Sequence, residues 1–128
     1  MKTVCTEHMA EQIIAAICRV RERAWRTQPQ RPWLEVSQPE DVLRACLEYL
    51  CGDEVDEAAI VRLDVPTVAA VRQHVRVYAV AAGASTLPHL RLEWDVGTDG
   101  QRSDLTLLFR AHQRAEHMQV LLYDVRVQ

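Results

Sequence analysis

The fold of this chain turns on one stretch, WDVGTDGQRSDLTLLF, residues 94–109. Apolar side chains alternate on both sides of it. Its middle is crowded with Asp95, Asp99 and Asp104 and with Gly97 and Gly100. Three readings compete: a metal-binding loop, a catalytic loop, or a hairpin turn. A calcium loop of the EF-hand type needs oxygen ligands at its odd early positions and a bidentate glutamate at its twelfth. Counted from Asp95, the third position is Gly97 and the twelfth is Thr106, so two ligands are missing. The flanks also alternate as strands, where a calcium loop needs helices. A hairpin fits better. Asp99-Gly100 is a strong turn dipeptide, and Gly100 offers the positive φ such a turn needs. Asp104 can accept backbone amides at the turn exit.

Working outward, the period-two pattern continues on both sides. In HLRLEWDV, Leu90, Leu92, Trp94 and Val96 face one way, and His89, Arg91, Glu93 and Asp95 the other. Leu105, Leu107 and Phe109 share a face in the next run. In HMQVLLYDVRV the pattern puts Leu121, Tyr123, Val125 and Val127 on one face and Val120 and Leu122 on the opposite one. Three strands with short polar connections predict an antiparallel meander.

Upstream the period is helical. Met9, Ile13, Ala16, Ile17, Val20 and Ala24 recur at three- and four-residue steps, predicting a helix from Thr6 to Arg26 with Thr6 as its cap. Pro29 and Pro32 break it into an extended connection. SQPE at 37–40 has the form of a capping box, Ser37 with Glu40, opening a second helix that Gly52 ends. A short acidic helix follows in DEVDEAAIVRL. Asp64 is then expected to cap a third main helix running to Gly83, although HVRVYAV alternates and leaves a strand open there. Helices first and strands last predict an α+β fold: N-terminal helices packed on a C-terminal three-stranded antiparallel β-meander, residues 1–128 as a single domain.

Composition narrows the function. The chain has 128 residues, 48% of them hydrophobic and 26% charged, which suits a soluble globular domain. One Phe, three Trp and three Tyr leave the core to Leu, Val, Ile and Ala. Lys2 is the sole lysine among 15 basic residues, a bias typical of GC-rich bacterial coding sequences, and it excludes a P-loop. No signal-peptide or membrane-length apolar run is present, so the expected location is cytoplasmic, away from membranes. Cys5, Cys18, Cys46 and Cys51 are scattered and read as free thiols. The histidines at 8, 74, 89, 112 and 117 are dispersed; His112 and His117 flank an expected turn too loosely to predict a metal site. No nucleophile elbow, dinucleotide motif or acid-plus-lysine centre is present. Arg19, Arg23 and Arg26 share a helical face beside Trp25, but Glu22 joins them and the chain is acidic overall, so no nucleic-acid partner is expected. No catalytic residue, metal or cofactor is predicted.

The last strands carry a resemblance. GQRSDLTL followed by YDVRV resembles the C-terminal signature of a small uncharacterised bacterial domain family, with an aromatic strand, a turn close to EGRSDLTL and a last strand close to DIHVL. The likeness covers residues 94–127, and Gln101 between Gly100 and Arg102 departs from it. It implies the strand-turn-strand fold and lends no catalytic residue.

Charge is the remaining signal. Net charge is -3, but residues 35–64 concentrate Glu35, Glu40, Asp41, Glu48, Asp53, Glu54, Asp56, Glu57 and Asp64 against only Arg44 and Arg62. Such a segment serves solubility or a basic partner. The partner-binding candidates are Asp53, Glu54, Asp56 and Glu57, which follow Gly52 between two helices. A small, acidic, motif-poor chain resembles, in composition, the immunity proteins of interbacterial toxin systems and phage-encoded inhibitors. The expectation is therefore a non-enzymatic binding protein that neutralises a protein partner, such as a basic toxin or enzyme, by occlusion. The alternative is a small enzyme or ligand-binding domain with a pocket between helices and sheet. A third possibility is a subunit that pairs through an exposed sheet edge.

Overall fold

The computed structural model describes residues 4–22, 36–84 and 88–127. The expected helical continuation through Arg23, Trp25 and Arg26, and the extended connection around Pro29 and Pro32, lie outside these residues. In chain order the elements are α1 (Glu7–Glu22), α2 (Pro39–Cys51), a 3-10 helix (Glu57–Arg62), α3 (Val68–His74), β1 (Arg76–Val80), β2 (His89–Asp95), β3 (Leu105–Arg114) and β4 (His117–Val127). The strands form one antiparallel sheet in the order β1-β2-β3-β4. The class is α+β, as the change of period predicts, with four strands in place of three.

The fourth strand comes from the expected third helix. Thr67, not Asp64, caps that helix, its hydroxyl accepting from Ala70 N at 3.1 Å. The helix stops at His74, and β1 pairs Arg76 with Glu93 and Tyr78 with Arg91. Val75, Val77 and Val80 are β-branched and lose side-chain freedom in a helix, so the available β2 edge decides the segment. Asp64 instead reaches the hairpin, where both carboxylate oxygens accept from Gly100 N at 3.1 and 3.0 Å.

Helix α1 starts where predicted. Thr6 accepts from Met9 N through its hydroxyl at 3.2 Å, and its carbonyl accepts from Ala10 N. Met9, Ala10, Ile13, Ala16, Ile17 and Val20 are its buried stripe. The capping box before α2 does not form. Val36 bridges to Leu122 of β4, and Ser37 N donates to Leu122 O at 2.7 Å, so this backbone belongs to the sheet edge. Gln38 occupies the cap position in the left-handed region, with no side-chain capping bond. As the residue before Pro39 it is disfavoured in the right-handed helical region. Gly52, at φ 68, ends α2 and donates its N–H to Glu48 O.

The core lies between the helices and one face of the sheet. Phe109, Met9, Ile13, Ile17, Leu43, Leu92, Leu107 and Leu122 are among its fully buried side chains. Trp94 and Phe109 belong to it as their alternation predicts, at 8% and 0% exposure. On β4 the predicted facing is corrected. The register shifts between Leu108 and Phe109, so Asp124 pairs with Leu108 and Leu122 with Phe109, leaving Tyr123 as the extra residue. This bulge lets Val120, Leu122 and Val125 pack toward the same core, while Tyr123 meets Arg110, whose guanidinium lies 4.2 Å from its ring centre.

Strand β4 could have offered a free edge. Gln12 of α1 engages it instead: its side-chain amide donates to Met118 O at 2.8 Å and accepts from Val120 N at 2.9 Å. With the Val36–Ser37 contact, these bonds occupy edge groups that a second chain would need.

Candidate functional site

The 94–109 stretch is a hairpin connection with a second task. Thr98 and Gln101 exchange both backbone hydrogen bonds, at 2.8 and 2.9 Å, around Asp99 at φ 53 and Gly100 at φ 75. Two successive positive φ values define a type I′ turn. The turn then docks on the residues after the 3-10 helix. Asp64 N donates to Gly97 O, Asp99 N donates to Arg62 O, and the Arg62 guanidinium grips the Asp99 carboxylate at 2.7 Å. A Cβ on Gly97 would stand 2.6 Å from Asp64 Oδ2 and 3.2 Å from Gln101 O, so a larger residue there would push the Asp64 carboxylate off Gly100 N. Asp104 does not take its expected role. Ser103 Oγ accepts from Leu105 N and donates to Val96 O, while Asp104 N donates to the Tyr49 hydroxyl.

The aspartates of the stretch therefore point to different partners. Asp99 faces Arg62. Asp95 accepts a two-pronged contact from Arg76, at 2.8 and 3.0 Å, and a bond from Thr106 Oγ1 at 2.7 Å. The Arg76 bonds hold the Asp95 carboxyl below the usual carboxylate range, with burial opposing and Thr106 and Arg102 assisting. Beside it, Glu93 is buried and meets three arginines: Arg126 at 3.2 Å, Arg76 at 3.4 Å and Arg91 at 3.5 Å. This ionic lattice covers the sheet face opposite the core. Sequence reasoning missed it because Arg76 sits in the segment expected to be helical.

Of the four acidic candidates, Asp53, Glu54 and Asp56 lie between α2 and the 3-10 helix, and Glu57 opens that helix. Asp53, Glu54 and Asp56 are exposed and Glu57 is half-buried. They are not equivalent. Asp56 caps the 3-10 helix, its carboxylate accepting from Ala58 N at 3.0 Å, and Glu57 lies in the first turn of that helix. Asp53 and Glu54 are the two that project without a capping role. Within residues 53–65, Val55, Val61 and Val65 are 53%, 56% and 40% exposed, large for β-branched apolar side chains. The sequence showed the acids, but exposed valines become visible only once the fold assigns the buried ones.

The remaining candidates separate. His117 meets His8, with ring centres 6.0 Å apart, while His112 meets His89 at 5.3 Å, so His112 and His117 do not converge. Among the described residues no group of three or more His, Cys, Asp or Glu side chains is placed to hold a metal. All four cysteines are free thiols. Burial pushes the Cys46 thiol up to about 12, which makes it a poor nucleophile at neutral pH. No helix among the described residues is long and apolar enough to cross a membrane.

His112 sets a pH dependence. Burial is the main cause that lowers its pKa, helped by His89, Arg114 and Arg110. The folded state thus favours the neutral ring, and its contribution is present above the ordinary histidine value of about 6.5 and lost as pH falls. Unfolding by urea between about pH 7 and about pH 5 should show a shallower loss of stability for His112→Gln than for the parent chain. Parallel pH profiles would assign the dependence to other groups.

No protein-family model, curated protein or solved structure matches the chain. The functional reading accordingly rests on the geometry above.

Proposed function

We propose that the protein is a non-enzymatic binding protein that neutralises a protein partner by occlusion, in the manner of an immunity protein of an interbacterial toxin system or a phage-encoded inhibitor. The observation that carries this reading is the pairing of exposed acids with exposed valines in residues 53–65. Exposed apolar side chains interspersed with acids along one segment supply the two ingredients of a protein interface, an apolar contact and a charged surround. The acids would steer a basic partner into place, and the valines would be dehydrated on docking. A basic toxin or enzyme as partner follows from the same charge logic, and the proposed place of action is the cytoplasm. The likeness to a bacterial family in residues 94–127 belongs to this proposal as a likeness of fold.

The test uses Asp53 and Glu54, because Asp56 and Glu57 also serve the 3-10 helix. Reversing both to lysine should change folding stability by under about 0.5 kcal/mol each. With a partner isolated by pull-down, association should slow about tenfold or more at low salt, and its salt dependence should flatten. Equal association rates for the parent and the reversed chain, across ionic strength, would assign the acids to solubility alone.

A further inference from the structure

A cavity of about 370 Å³ opens where β1 begins and β2 runs past it, lined among the described residues by His74, Arg76, Trp94, Asp95 and Arg102. Its size lies at the lower end of small-ligand pockets. Trp94 lies one residue beyond the last β1–β2 pair, Arg76 with Glu93. Its indole Nε1 is buried and has no hydrogen-bond partner among the described residues. An indole nitrogen can only donate, and buried donors left without an acceptor are rare in folded proteins.

The carboxylate of the lining is already engaged. Asp95 is its one carboxylate. Oδ2 accepts from Arg76 Nη1, and Oδ1 accepts from both Arg76 Nη2 and Thr106 Oγ1. The same contact offsets the charge of Arg76. Arg102 is exposed at the rim and near enough to Asp95 to act on its ionisation. His74 adds one ring nitrogen as a donor and, in its neutral form, the other as an acceptor. A cavity whose lining holds more donors than acceptors, and which is bordered by a residue with a buried, unpartnered N–H, is complementary to an acceptor-only group carrying negative charge.

We propose that this cavity binds a small oxyanion, a carboxylate or a phosphate, between the Trp94 indole N–H and the Arg102 guanidinium. The site is independent of the acidic segment, and neither reading depends on the other.

The experiment follows the indole N–H resonances of the nitrogen-15-labelled full chain during titration with sodium phosphate and, separately, sodium acetate. Ionic strength is held constant with sodium chloride. The Trp94 signal is identified by its loss in Trp94→Phe, which separates it from Trp25 and Trp33. A saturable shift of Trp94 alone is expected, weakened about tenfold in Arg102→Ala, as befits loss of a charge-assisted hydrogen bond. Arg102 is exposed, so that variant keeps the fold. Saturation by phosphate alone identifies a phosphoryl ligand, by acetate alone a carboxylate, and by both a general oxyanion site. A Trp94 signal indifferent to both anions, or one that responds equally in Arg102→Ala, overturns the proposal.

Discussion

Truncating Phe109 to alanine is expected to cost about 3–5 kcal/mol, a large share of the stability of a domain this size. Phe109 is fully buried at the centre of the sheet, paired with Leu92 on β2 and Leu122 on β4. It is the sole phenylalanine, and its cross-strand partners Leu92 and Leu122 are smaller aliphatic side chains. These cannot collapse fully into the space a ring leaves, and the residual cavity adds to the lost transfer energy. Phe109→Leu keeps most of the volume and should cost under about 2 kcal/mol. Urea unfolding measures both. A Phe109→Ala chain that unfolds at the parent midpoint would place the ring outside the core.

The second large effect is expected at Glu93. Its side chain is 6% exposed, whereas Arg76, Arg91 and Arg126 around it are 36%, 45% and 49% exposed. Glu93→Gln leaves three like charges facing a neutral group. Removing one member of a fully buried pair costs about 3–5 kcal/mol, but these arginines reach water, and about 2 kcal/mol is the expected loss. Arg91→Ala should cost under about 1 kcal/mol, since Glu93 keeps two partners. Combining Glu93→Gln with Arg126→Ala should cost less than the sum of the two, because both remove the same contact. Additive losses would show that the lattice is held by packing of the side-chain stems and not by charge.

Both predictions rest on the sheet, and they differ in how far the sequence exposes them. The place of Phe109 in the core follows from its alternation with Leu105 and Leu107. The role of Glu93 does not follow, because two of its partners come from strands at opposite ends of the sheet. Arg76 arrives from β1 and Arg126 from β4, separated in sequence by the whole of the meander. The acidic candidates show the same division. Their density between residues 53 and 57 is legible, but the capping role of Asp56 and the exposure of Val55, Val61 and Val65 are not.

Local periodicity by itself determined the α1 stripe, the Thr6 cap, the Gly52 stop, the Asp99-Gly100 turn and the order of helices before strands. Each depends on neighbours within a few residues, where backbone sterics and the spacing of apolar side chains suffice. Tertiary structure alone decided the rest. Residues 76–80 become a strand because β2 offers them hydrogen-bond partners. Ser37 leaves its capping box because its backbone pairs with β4. The β4 facing changes because a bulge accommodates Tyr123. Asp64 serves the hairpin instead of a helix because folding brings Gly100 to it. In each case a contact with a distant element, which no window of neighbouring residues contains, fixes the outcome.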